Sequence, residues 1–472
     1  LGYIVMLENE LDAALNYFNN VQSSKIYGPI IPLYMVRIYY AKNNYDKVID
    51  YTDTIKNIKD KKEVYWIRGQ AFYQLKNYKE SWPLLNENRP EQNRISSEDR
   101  YMIGNAAYQA GKYENAYQEF IQITQKQDSV IQYAYYAAAD CFIKLNKKPN
   151  ARNAFSQAAS YDFNKKIKEK SLFNFAQLSF ELDFQSDAIN SVQKFLDQFP
   201  GSDLEDDAKT LLGEILLSTR NYKDAIHVLE GIKKKNEQTK KVYQQIAYYR
   251  GQELFIDQKS DSAQKYFEKA KLYPIDQAIE ASSDFFIAEI QYRKGNYDQS
   301  IKFLEKFQNN SKSNETPYYA SSFYSLGYSY FRKENFVKAG NAFNEYSKKD
   351  NYFGASKERY IDAMARLGDC NFMQKKYEAA IDAYTYVITK NAANSDYAYF
   401  QIGMIRGLQE NELQKILTLK KIPQNYPNSL YVDDALFEIA LVQLEIGDYN
   451  EALRGFSYIL ADYPGSEFAK TC

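Results

Sequence analysis

Histidine occurs once in this 472-residue chain and cysteine three times, and neither sign of charge prevails: 60 basic residues stand against 61 acidic ones. The lone imidazole, His227, has no second histidine or neighbouring cysteine with which to build a zinc site or a nucleophile–base pair. A net charge of −1 supplies no field for nucleic acid or an anionic membrane surface, and the Lys-rich stretches Lys165 to Lys170 and Lys233 to Lys241 read as solvated segments. No apolar run approaches the roughly 18 residues needed to cross a bilayer, so direct membrane insertion of this segment is not expected. No secretory leader opens the sequence. Glycine-rich phosphate loops are missing, and the abundant carboxylates show no pair set apart for acid–base work. These absences argue for a chain without catalytic function, cofactor or metal.

What is present is repetition. Thirteen copies of one pattern align on Leu11, Tyr45, Tyr78, Tyr113, Lys148, Gln185, Tyr222, Ser260, Tyr297, Phe336, Tyr377, Glu412 and Tyr449. Nine residues before each anchor the chain carries Gly or Ala, as at Gly69, Gly104, Ala139, Gly213, Gly251 and Gly327, with Val36 the exception. Three residues after it a second small column holds Ala14, Ser81, Ala116, Ala151, Ala188, Ala225 and their counterparts, broken by Val48 and Lys415. Four residues further on stands a large side chain such as Phe18, Phe120, Phe155, Phe267, Phe343 or Tyr384. Small residues on two helices at their crossing let the backbones approach, and the large residue fills the space beside them.

This pattern resembles the tetratricopeptide repeat family, whose repeat reads small residue, aromatic turn, Ala, aromatic, then Pro; Gly327, Phe336, Ala339 and Phe343 match it closely. The resemblance covers the whole chain. It implies an all-α fold, a right-handed α–α superhelix or solenoid of about 13 helix-turn-helix repeats, which grows by stacking neighbours and needs no central core. A single solenoid over 1–472 is therefore expected, with shorter repeats in 1–163 and longer ones in 164–472. Leu1 and Gly2 fall in the middle of a first helix and no polar cap follows the last copy, so the expectation is an array truncated at both ends.

Proline usage supports the register: Pro149 falls in the first turn of a second helix, and Pro90, Pro200, Pro274, Pro317, Pro427 and Pro464 fall between repeats. Pro83 lies inside a second helix and predicts a kink or hinge, followed by a polar, irregular turn over Asn86 to Ser97. The long polar turn Gln308 to Pro317 is a second expected weak point. Cys141 and Cys370 share one repeat position in copies six apart, too far for a disulfide, so both are expected to be reduced, buried thiols. Cysteine usage thus leaves cytoplasm and periplasm both open.

The turns Phe199-Pro200-Gly201-Ser202, Tyr426-Pro427-Asn428-Ser429 and Tyr463-Pro464-Gly465-Ser466 close one helix, forbid its continuation and cap the next, with Ser202 and Glu205 expected to form a capping box. Such turns are similar to those of bacterial envelope repeat proteins, the outer-membrane assembly lipoprotein and the Tol-Pal coordinator. That similarity implies a place in the periplasm or on the periplasmic face of the outer membrane.

In the family, one face of every first helix lines a concave groove where partners bind. Here that face carries two aromatic columns seven residues apart, which share a stripe because seven residues is two helical turns. The candidate binding residues are Trp66, Tyr101, Tyr136, Phe173, Tyr248, Phe285 and Tyr324 in the first column and Tyr73, Tyr108, Phe180, Phe255, Tyr292 and Phe331 in the second. Between them lie Asn105, Asp140, Gln177, Gln252 and Glu289. The functional reading is a groove for extended polypeptide; the competing one is that the rings pack one repeat on the next. Positions where related domains use Lys and Asn to grip a terminal carboxylate hold aromatic, acidic and amide residues instead. The expectation is a non-enzymatic scaffold for other proteins in a bacterial cell-envelope assembly. The alternative is a substrate-recruiting arm of a larger enzyme or regulator.

Overall fold

Small residues on paired helices demand a tight connection between them, and the computed structural model, which describes residues 1–56, 58–91, 95–123, 129–349, 357–390 and 394–470, shows how it is made. Regular structure is helical throughout the described residues, with no strand. The chain divides into two compact units, Leu1–Lys235 and Asn236–Cys472.

In the first unit α1 (Gly2–Leu7) pairs with α2 (Leu11–Val21), α3 (Ile31–Ala41) with α4 (Tyr45–Thr54), α5 (Lys61–Gln74) with α6 (Tyr78–Glu87), and α7 (Ser97–Gln109) with α8 (Tyr113–Phe120). There follow α9 (Val130–Lys144) with α10 (Lys148–Ser160), α11 (Lys165–Glu181) with α12 (Gln185–Gln198), and α13 (Glu205–Ser218) with α14 (Tyr222–Glu230). In the second unit α15 (Glu237–Ile256) pairs with α16 (Ser260–Ala270), α17 (Gln277–Arg293) with α18 (Tyr297–Asn309), and α19 (Tyr319–Arg332) with α20 (Phe336–Lys349). After these come α21 (Lys357–Met373) with α22 (Tyr377–Thr389), and α23 (Ser395–Leu408) with α24 (Glu412–Leu419). A short continuation, α25 (Lys421–Asn425), precedes the pair α26 (Val432–Glu445) and α27 (Tyr449–Asp462). Each anchor residue is the first residue of a second helix. Within each unit second helices also pack on the following first helix, as α10 does on α11, so the lengthening of repeats near 163/164 interrupts no packing.

One backbone device ends the first helix of every pair. The residue two before each anchor is left-handed, with φ between +55° at Asn146 and +83° at Gly447. The next N–H then reaches back five residues, Asn77 to the Phe72 carbonyl at 2.9 Å, Lys259 to Leu254 at 2.8 Å and Asn335 to Tyr330 at 2.9 Å. This is the Schellman arrangement, which satisfies carbonyls orphaned at a helix end. Gly111, Gly295 and Gly447 adopt it without steric cost, whereas Lys76, Arg220, Gln258, Glu334, Lys375 and Glu410 carry a Cβ in the same conformation.

The small columns sit where the helices meet. A β-carbon added to Gly104 would stand 2.6 Å from the Phe120 ring, and one on Gly403 2.5 Å from Leu419. The glycine is thus the floor on which the large residue of the second helix lies. The partner column is buried from Ala14 through Ala116, Ala188 and Ala263 to Ala452, except at half-buried Lys415. Ser81, where Ala would otherwise stand, donates to the Gly69 carbonyl at 2.8 Å, so its hydroxyl is satisfied inside the crossing. The second pair inverts the volumes. Val36 replaces the small residue and buried Thr52 the large one, with the threonine hydroxyl bonded to the Val48 carbonyl at 2.8 Å.

Three expectations need correction or refinement. Helix α6 continues through Pro83 without a break; the carbonyl that loses its donor lies in the exposed first turn, at Lys79. Residues 92–94 of the irregular turn after it lie outside the described residues. A helix break does occur near Pro423, which separates α24 from α25. The turn Gln308 to Pro317 contains a 3-10 turn at Ser313–Glu315; Ser313 and Thr316 are buried in it, most of its other residues are exposed, and the Thr316 hydroxyl donates to the Ser313 carbonyl at 2.7 Å. Finally, Ser202 and Glu205 do not form a reciprocal capping box. The Ser202 hydroxyl accepts from the Leu204 N–H at 3.0 Å while Glu205 accepts from the Gly201 N–H at 2.7 Å. A tight serine turn precedes the helix, which begins two residues later than the box requires. Ser429 and Ser466 repeat this turn, and Ser202 and Ser429 also bond carboxylates of the preceding repeat, Glu169 and Asp396.

Candidate protein-binding face

The stripe residues stand on first helices two turns apart, and each column is tied at one edge by a different neighbour. Rings of the first column lean on a ring of the second helix in the same pair: Tyr101 on Phe120 at 5.4 Å between centroids, Tyr136 on Phe155 at 5.7 Å, Phe173 on Phe195 at 5.9 Å and Phe285 on Phe307 at 5.7 Å. Rings of the second column lean on the anchor five residues on: Tyr73 on Tyr78 at 5.6 Å, Tyr108 on Tyr113, Tyr292 on Tyr297 and Phe331 on Phe336 at 5.5 Å each. Offset and edge-on ring pairs of this kind contribute ~0.5–1.5 kcal/mol beyond area burial.

Exposure divides the candidates. Trp66, Tyr248 and Phe285 are buried, at 7 %, 7 % and 6 %, and do not line an open surface. Trp66 belongs to the core with Leu85, Ile103 and Ala106. Tyr248 and Phe285 are covered by Tyr318, which arrives from the turn before α19: its ring stacks on Phe285 at 5.0 Å and its hydroxyl lies 3.4 Å from that of Tyr248. Gln252 donates to both hydroxyls, at 2.9 Å and 3.0 Å. Tyr73, Tyr101, Tyr108, Tyr136, Phe173, Phe180, Phe255, Tyr292, Tyr324 and Phe331 are half-buried, as are Asn105, Asp140, Gln252 and Glu289, and Gln177 is exposed. Burial pushes the Tyr101 hydroxyl up to about 12 and that of Tyr73 upward, so both stay neutral at physiological pH.

Polar stripe residues join successive repeats. Asn105 donates to the Tyr73 hydroxyl of the preceding repeat at 2.7 Å, and Tyr108 donates to Asp140 of the next. In the second unit Tyr324 and Tyr328 both donate to Asp362, the former at 2.8 Å, and Tyr384 and Tyr397 both donate to Asp369 at 2.7 Å. Arg366 pairs with Asp369 at 2.5 Å. Tyr328 stands at the polar-column position of its repeat, so the register itself marks it; Tyr318 and Asp362 lie outside the columns and leave no periodic signal. The stripe offers ring faces, amide groups and carboxylates over several repeats. Among the described residues no cluster of three metal-ligating side chains occurs, and no helix is long and apolar enough to cross a membrane.

Paired helices with a small-residue crossing, stacked one pair on the next, define an α–α repeat protein. Residues 186–345 match the SusR N-terminal TPR domain, and residues 101–165, 324–396 and 434–466 match tetratricopeptide repeat families. The chain belongs to the tetratricopeptide repeat family. No curated protein matches it. Among solved structures, the C-terminal part of a tetratricopeptide repeat-containing protein from Cytophaga hutchinsonii is 17 % identical, covering 56 % of this chain and 98 % of its own, with a TM-score of 0.39. MamA from Desulfovibrio magneticus RS-1 is 16 % identical over 40 % of this chain and 97 % of its own, with a TM-score of 0.33. YrrB, described as having an unusual peptide-binding site, is 17 % identical over 41 % and 92 %, with a TM-score of 0.32.

Proposed function

We propose that this chain is a non-enzymatic interaction scaffold that holds extended polypeptide, or the surface of a partner domain, along its first-helix face. The observation that carries this reading is the fixed, half-open stripe: rings tied at one edge by their own pair keep another part of their surface accessible, beside acceptors and donors set at repeat spacing. Rigid rings of this kind supply contact area at little cost in conformational entropy. The aromatic–Pro–x–Ser turns support a place in a bacterial cell envelope, in the periplasm or on the periplasmic side of the outer membrane. A photo-reactive benzophenone side chain at exposed Gln177, on a first helix, tests the face against one at exposed Lys223, on a second helix. Cross-linking to partner protein from 177 and not from 223 is expected; the opposite pattern overturns the assignment. Fractionation of the source cell tests the compartment.

A second reading has one observation in its favour. The matched SusR segment is described as an N-terminal domain, which fits an array that serves as the recruiting arm of a larger enzyme or regulator. Sequence continuous with this chain and carrying a catalytic or regulatory domain favours that reading over the free-standing scaffold.

A further inference from the structure

The inter-repeat hydrogen bond of the stripe is made at some positions and not at others. In α7 and α9 the polar residue of one repeat meets a tyrosine hydroxyl of the repeat before it, Asn105 with Tyr73 and Asp140 with Tyr108. The same register pairs Glu289 with residue 255, and residue 255 is a phenylalanine without a hydroxyl. Glu289 is left with the Ser325 hydroxyl and with an oxygen, Oε1, that is buried and accepts no hydrogen bond. Burial accordingly pushes its pKa upward, against the Ser325 hydrogen bond and the fields of Arg293 and Arg359. Those two cations are engaged with rings, Arg293 over Phe255 at 4.0 Å and Arg359 over Tyr324 at 5.5 Å.

The carboxylate lies beside a cavity of about 230 Å³ between α17 and α19, lined by Glu289, Tyr292, Tyr324, Ser325 and Tyr328. Three of its five lining residues are tyrosines, and the hydroxyls of Tyr324 and Tyr328 are turned to Asp362. That leaves ring surface and an under-bonded acid to meet a guest. An anion is repelled by Glu289, and an apolar guest leaves Oε1 unsatisfied at a cost of roughly 1–3 kcal/mol. A cation with N–H donors satisfies the acid and is attracted by the electron-rich ring faces. The last torsion of a glutamate is soft, so either oxygen can be turned to the guest.

We propose that this cavity is a subsite for a primary ammonium or guanidinium group, the end of a lysine or arginine side chain. The assignment deepens the reading of the first-helix face as a polypeptide-binding surface and rests on it for the natural ligand. The charge preference can be measured apart from that reading with small probes. Titration of the whole chain with Nα-acetyl-lysine N-methylamide, followed by saturation-transfer NMR, should show binding at least roughly tenfold tighter than that of the norleucine analogue, which lacks the charge. Glu289→Gln should abolish this preference while leaving the melting temperature unchanged or higher, because a neutral amide costs less to bury than the under-bonded acid. Tyr292→Leu, which keeps the carboxylate and removes one ring, should weaken the lysine probe more than the norleucine probe. Equal binding of the two probes, or a preference that survives Glu289→Gln, overturns the proposal. Cross-linking from position 177 reports on the face separately: its failure beside intact Glu289-dependent probe binding overturns the face reading and not the cation preference.

Discussion

A β-carbon placed on Gly327 would stand 2.7 Å from the ring of Phe343, sixteen residues later in the chain. No methyl group fits there unless the ring or the helix moves. Gly327→Ala is therefore expected to destabilise the second unit by about 1–3 kcal/mol, the range of core overpacking, despite alanine's better helix propensity. Gly465→Ala, where a new Cβ meets nothing within 4 Å, is the control and should change little. Denaturant titration of both variants checks the difference.

Left-handed residues in the turns carry the opposite expectation. Lys76, Arg220 and Glu334 hold φ near +60° with a side chain attached, and glycine relieves the roughly 1–2 kcal/mol clash of Cβ with the following carbonyl. Part of that gain is lost to the greater freedom of glycine in the unfolded chain. Each of Lys76→Gly, Arg220→Gly and Glu334→Gly should stabilise by about 0.5–1 kcal/mol, and Gly111→Val should destabilise. Thermal melts of the single variants decide it.

The two thiols described should be silent in the folded protein. Cys141 and Cys370 are buried and free, and burial with a neighbouring carboxylate pushes each thiol up to about 12. With so little thiolate at pH 8, neither should react with a chromogenic disulfide reagent until denaturant is added. Rapid labelling of either under native conditions, located by peptide mapping, contradicts the packing.

Tyr248 and Tyr108 should part company on mutation. Tyr248 is buried under Tyr318, so Tyr248→Ser should cost roughly 3–5 kcal/mol. Tyr108→Phe keeps the ring and removes only the donor to Asp140, for about 1–3 kcal/mol. Similar losses in the two variants, measured by chemical denaturation, argue against the division of the stripe into covered and half-open rings.

Phe255→Tyr should restore the inter-repeat bond missing at Glu289. A phenol at 255 donating to the carboxylate is expected to add about 0.5–1.5 kcal/mol of stability and to weaken binding of the lysine probe. Melting and titration of the same variant check both effects. Gain of stability with undiminished probe binding would show that the new hydroxyl bonds elsewhere.

The hairpin register was legible from local pattern because each feature of it is a local steric requirement. Gly69 and Leu85, or Gly251 and Phe267, recur at one separation since the helix crossing has one geometry, and the anchors open second helices for the same reason. The left-handed turn was not legible at Lys76 or Glu410, residue types that do not ordinarily select it; packing of the second helix on the first imposes the conformation on whatever residue stands there. Val36 and Thr52 look like two defects in the columns and are complementary in volume, a relation that becomes visible only when the two positions face each other.

Within the candidate site the same division holds. Periodicity alone places the aromatic and polar columns on one stripe, because side-chain direction along a helix follows from position. Which rings stay open was decided by residues without a periodic address. Tyr318 comes from a turn seventy residues beyond Tyr248 and closes over it, and Asp362 gathers the hydroxyls of two tyrosines from the preceding repeat. The chain's own order determined an all-helical tetratricopeptide array and the register of its crossings, since those depend on neighbours a few turns apart. Burial at Tyr248 and Phe285, and the unpartnered oxygen of Glu289, were settled only by tertiary structure, because exposure and hydrogen-bond satisfaction depend on which distant side chain arrives to cover or bond each atom.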